Sequence, residues 1–240
     1  MLTYQDLLFV LSDEFQNVLD FTMFDFIPET PNDAIQECIQ EKVRIFNNSA
    51  LPLFDNYTAM TRLYEQTKEI PWDNPNCILC RQYIRQTYLE LFVYREKLIR
   101  FLADLYHLNI RHQRIGAIYN MVKNKSIQFS FMSEVIVKID SVKHDEQYIL
   151  FESIRNDEVH NITRIDRLNY VFLPNGTIKP VGYKMDSIYF IQNLTAVLNM
   201  MVEIKDEIQK ILHNKYLSEI NKVCKISKDM MEDYHATNET

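Results

Sequence analysis

Only three glycines occur in 240 residues, Gly116, Gly176 and Gly182, and this scarcity restricts the chain more than any other feature. Average usage is about 7 %. Phosphate-cradling loops and dinucleotide-binding turns need several glycines close together, because the backbone there takes positive φ or approaches a phosphate. Both are excluded, and folds rich in tight turns are disfavoured. A helical protein needs the fewest glycines. The expected fold is therefore all-α: an antiparallel bundle of four or more helices, large enough to bury a sizeable core as a single domain over 1–240.

The apolar spacing divides the chain into segments. Thr3 and Asp6 resemble a capping box, and Leu7, Leu8, Leu11, Phe15, Val18 and Leu19 continue a first helix to about residue 25. Pro28 and Pro31 stop it. Asn32 caps a second helix carrying Ile35, Cys38, Ile39, Val43 and Phe46, Pro52 ends that helix, and a third stretch occupies about 53–69. Residues 1–75 thus form an acidic N-terminal helical layer. From Asn76 the pattern lengthens: Ile84, Tyr88, Leu91, Phe92, Leu98, Ile99, Leu102 and Leu105 predict one helix of about 30 residues, about 45 Å long. Shorter helices are expected near 112–124 and near 129–142, the latter with Phe131, Val135, Val137 and Ile139. Another begins about Asp145 with Tyr148, Ile149, Phe151 and Ile154. Tyr170 to Pro180 reads as a small hairpin, near 169–181, around Asn175-Gly176. A last helix starts at Asp186 or Ser187, with Ile188, Ile191, Leu194, Leu198, Met201, Ile208 and Ile211 as its stripe. The core of the bundle is placed at 76–215, and 216–240 is a polar tail.

Charge is unevenly spread. Residues 1–76 hold 4 Lys+Arg against 13 Asp+Glu, whereas 77–125 hold 9 against 3. A local basic surface matters more to a polyanion than the whole-chain net of −7. Its alternative use is an ordinary solvated helix face. Cys77 and Cys80 have the spacing of half a zinc site, but no second pair completes four ligands, and helix packing is the expected use. His107 and His112 are five apart and do not share a helix face, so no metal and no cofactor are expected. With no leader segment and no run of 18 apolar residues, the chain reads as cytoplasmic and membrane-free, with free thiols.

The chemistry concentrates in Arg155-Asn156-Asp157-Glu158-Val159-His160. A permanent cation that grips phosphate lies five positions before an imidazole that titrates near neutrality. Such a pair can cleave RNA without a metal: the imidazole takes the 2′-hydroxyl proton and the guanidinium holds the charge developing at phosphorus. In this stretch the chain resembles the HEPN superfamily, whose signature is Arg, a polar residue often Asn, a few residues, then His. A looser Arg-to-His pair, Arg100 to His107, lacks both the Asn and the spacing.

The resemblance implies a HEPN-like helical bundle, usually dimeric, in which two copies of the motif face a common cleft. Catalysis would fall to Arg155 and His160, with Asn156 positioning the Arg or donating to a phosphate oxygen. RNA contacts are expected from Arg164 and Arg167 beyond the motif and from Arg81, Arg85, Arg111 and Arg114 in the basic stretch. The implied partners are RNA, a second copy, and an antitoxin or regulatory protein of the toxin–antitoxin or phage-defence kind. Several family toxins carry a modifiable Tyr two residues after the His; Ile162 stands there, so that control is not expected. Asp157 and Glu158 repel a phosphate unless they turn outward. Two alternatives stay open. HEPN domains that only bind or dimerise share the motif region. In a purely structural use, Arg155 pairs with Glu152 or Glu158 and His160 caps a carbonyl.

Overall fold

A computed structural model describes residues 23–24, 33–70, 74–106, 108, 110, 113–128, 133–160, 165, 169–172, 174, 176, 178–181 and 187–214. The described elements, in chain order, are α1 (Asp33–Thr67), α2 (Pro75–Leu105), α3 (Ile115–Gln128), α4 (Ser133–Val142), α5 (Glu146–His160), β1 (Asn169–Phe172), β2 (Ile178–Val181) and α6 (Ser187–Asn214). The fold is the expected helical bundle with one small hairpin. The first helix expected before residue 25 and the polar tail at 216–240 lie outside the described residues.

Local chemistry explains the boundaries. Asn74 accepts the Asn76 N–H on its side chain at 2.9 Å, and its carbonyl receives Cys77 and Ile78, so it caps α2. Pro75 follows at the first helical position, where its missing N–H costs nothing. Asp145 caps α5 in the same way, its Oδ1 accepting the Gln147 and Tyr148 amides at 2.8 and 3.2 Å. β1 and β2 pair antiparallel from Asn169↔Val181 to Phe172↔Ile178. Gly176 turns the connection with φ 74°, a conformation a side chain rarely adopts. Pro180 lies opposite Tyr170 in a two-stranded ribbon, where a missing donor on the outer side is tolerated.

Two expectations about α1 are corrected. Pro52 does not end a helix; α1 runs through it for 35 residues. An interior proline costs about 3 kcal/mol, since it removes a bond to the carbonyl four residues back and crowds that turn. Leu53 and Phe54 immediately beyond it are buried, each worth about 1.5–3 kcal/mol, which outweighs the break. The Ser49 carbonyl in the disturbed turn receives the Lys97 ammonium. Cys38 is exposed rather than on the apolar side, because the buried stripe runs Ile39, Val43, Phe46, Ala50. In α4 the expected Val137 is likewise exposed; Val135, Ile136, Ile139 and Val142 carry the helical period.

The chain groups into two compact units. One comprises 1–50, 95–140 and 202–240, and the other 51–94 and 141–201. In the first, Phe24, Phe46 and Phe101 form an aromatic trio with centroids 4.7 to 5.4 Å apart. Asn47 locks Phe24 in place by accepting its N–H at 3.0 Å and donating to its carbonyl at 2.9 Å. In the second, segments of α1, α2, α5 and α6 pack together. Tyr88 of α2 stacks on Phe151 of α5 at 5.4 Å and meets Phe190 of α6 edge-on at 6.2 Å. Its hydroxyl donates to Asn193 Oδ1 at 2.9 Å, and Asn193 Nδ2 donates to the Gln147 carbonyl and side chain at 2.8 and 3.0 Å. Tyr57 and Thr195 join α1 to α6 through their hydroxyls at 2.8 Å.

Candidate functional site

The motif occupies the C-terminal half of α5. Tyr148, Phe151 and Ile154 are buried at steps of three, and steps of four from Phe151 and Ile154 bring residues 155 and 158 onto the same side. His160 closes the helix and is exposed. Arg155 and His160 therefore diverge by about 140° around the helix axis, as five residues of helix require.

Arg155 is half-buried against α2. Its guanidinium carbon lies 3.8 Å from the centroid of the Phe92 ring, a stacked cation–π contact worth about 0.5–2 kcal/mol. Nη1 donates to Asn156 Oδ1 at 2.9 Å, a bond between neighbouring side chains at the surface. Nε is buried and has no hydrogen-bond partner among the described residues. Arg155 forms no ion pair among the described residues either, neither with Glu152 nor with Glu158. Among the described residues, ring stacking and one amide hold the side chain, and no carboxylate pairs with its charge. Asn156 and His160 are both exposed.

Glu158 turns inward: its side chain is 2 % exposed and its Oε2 accepts Arg85 Nε of α2 at 3.0 Å. The reason is its register. Four residues after Ile154 and seven after Phe151, it falls on the buried stripe, where a carboxylate needs a cation. Its other oxygen, Oε1, accepts the Ile165 amide at 3.3 Å.

Arg85 is engaged with Glu158, and Arg81, also half-buried, precedes it by one turn of α2. Arg114 is exposed, and its carbonyl accepts Ala117 and Ile118, so it caps α3. Arg111, Arg164 and Arg167 lie outside the described residues. Lys123 of the basic stretch pairs with Asp140 at 2.9 Å, and Tyr119 donates to the same carboxylate, so part of the local positive excess is neutralised within the fold.

The two adjacent cysteines serve packing. Cys77 Sγ reaches the Thr67 and Ile70 carbonyls at 3.9 Å, and Cys80 Sγ reaches the Met60 carbonyl at 3.7 Å. Burial pushes the Cys80 thiol up to about 11, the opposite of an activated thiolate. Among the described residues no three His, Cys, Asp or Glu side chains gather as a metal site, and no helix is long and apolar enough to cross a membrane.

Phe92 as a ring for Arg155, the inward Glu158 and the buried Asn193 were not singled out from sequence. The signal was present in the stripe: Asn193 falls between Phe190 and Leu194, and Lys205 between Met201 and Ile208, polar residues in core register. Fold and motif together define a helical-bundle protein with an Arg-Asn…His surface at the end of one helix. No family model, curated protein or solved structure matches the chain.

Proposed function

We propose that this chain is a HEPN-like, metal-independent endoribonuclease of the defence or toxin type. His160 removes the 2′-hydroxyl proton, and the 2′-oxygen attacks the adjacent phosphorus. Arg155 holds the charge that develops there, and the 5′-oxygen leaves, taking up a proton from solvent. The products are a 2′,3′-cyclic phosphate and a 5′-hydroxyl. The observation that carries this reading is the charge arrangement on α5. Arg155 is backed by Phe92 and Asn156 with no carboxylate against it among the described residues, while the acidic Glu158 is withdrawn and neutralised by Arg85.

Because Arg155 and His160 diverge, one α5 does not direct both at one phosphate. A second copy supplies the complementary pair across a shared RNA path, so light scattering should give about twice the 28.7 kDa chain mass. An antitoxin or regulatory protein is the natural further partner of such an enzyme. The variants that test the site are His160→Ala and Arg155→Lys. The first lowers cleavage about 100-fold or more with little change in stability, since the residue is exposed. The second is also impaired, because an ammonium reproduces neither the planar fork nor the ring stacking. Full cleavage by His160→Ala would end the proposal.

A second reading, an interaction module that binds RNA, a nucleotide or a protein without cleaving, draws on the same Arg155–Phe92 contact, which gives the arginine a packing role. It predicts retained binding, no cleavage by the parent chain, and loss of stability in Arg155→Lys.

A further inference from the structure

We infer that Glu158 is a positioning residue for His160, tying the chain that follows the motif back onto α5 and α2. The inference rests on the ribonuclease reading and deepens it. His160 is the last residue of α5, where helices fray and a side chain is free to wander. Two residues before it, Glu158 is fixed by Arg85 through Oε2, and five residues after it, Ile165 is fixed by the same carboxylate through Oε1. Ile165 is itself buried, so the point it marks is anchored from both sides. One side chain thus brackets the imidazole between two held positions. A carboxylate suits this role because it accepts from a cation and an amide at once, and this one is almost fully buried. Holding the backbone around a proton-transfer group reduces the orientations that must be lost on reaching the transition state.

The test combines hydrogen exchange with kinetics on the full chain, using a defined single-stranded RNA oligonucleotide in EDTA. In Glu158→Ala, the Ile165 amide loses its protection while the amides of α2 around Tyr88 keep theirs. Cleavage falls about 10-fold in kcat, with KM changed less than about 2-fold. Glu158→Gln keeps an acceptor for the Ile165 amide, so protection is retained and kcat returns to within about 3-fold of the parent. That variant also decides the matter should the alanine form fail to fold. Ile165 exchange that is unchanged in Glu158→Ala, or lost equally in Glu158→Gln, overturns the inference whether or not the parent cleaves RNA. A parent chain that leaves RNA intact overturns the ribonuclease reading instead.

Discussion

In the unit made of 1–50, 95–140 and 202–240, three lysines turn to the main chain. Lys42 donates to the Asp104 carbonyl, Lys97 to Ser49 and Lys205 to Met23. In the unit made of 51–94 and 141–201, polar side chains bond to one another: Tyr88 to Asn193, Asn193 to Gln147, Arg85 to Glu158 and Tyr57 to Thr195. The difference matters for what each can tolerate. Each of these lysines reaches its carbonyl on a flexible stem, so truncating one strands little. A side-chain network needs every member, because removing one leaves the others buried and unsatisfied. The contrast lies between these two kinds of contact, since side chains also pair in the first unit, where Tyr119 and Lys123 meet Asp140.

Three substitutions test this contrast by chemical denaturation. Phe101→Ala should cost the most, about 3–5 kcal/mol, because the first unit relies on its aromatic trio. Asn193→Ala should cost about 1–3 kcal/mol, since Tyr88 and Gln147 lose their shared partner. Lys97→Met keeps an apolar stem of similar length and should change stability by less than about 1 kcal/mol. A Lys97→Met cost above that of Asn193→Ala would erase the distinction between the two kinds of contact.

A smaller effect separates the thiols. Cys80 is raised by burial from 9.0 to about 11, so the folded chain keeps a proton that the unfolded chain loses across that interval. Its contribution is fully present below pH 9 and is lost as pH rises toward 11, so stability should fall in alkali. At mildly alkaline pH, iodoacetamide should label exposed Cys38 and spare Cys77 and Cys80, as read by mass spectrometry of the digested chain. Rapid labelling of Cys80 would remove it from the core.

Much of the architecture was legible from residue spacing. The 31-residue α2, the α6 stripe and the Asn175-Gly176 hairpin follow from apolar period and turn chemistry, which are local properties. Pro52 was read by propensity alone, and burial on either side of it prevailed. The motif was visible as a string of residue types, but its electrostatics were not. Whether Glu158 opposes a phosphate or pairs with Arg85 depends on a contact 73 residues away in sequence. The basic excess of 77–125 was counted correctly, yet Arg85 and Lys123 meet carboxylates that no local pattern announces.

The central claim is that Arg155 and His160 cleave RNA without a metal, and the most direct measurement is end analysis of RNA incubated with the purified chain in excess EDTA. The account predicts fragments ending in 2′,3′-cyclic phosphate and beginning with 5′-hydroxyl, formed by the parent and lost in His160→Ala. Intact RNA, or cleavage that appears only with added divalent metal and leaves 5′-phosphates, would contradict it.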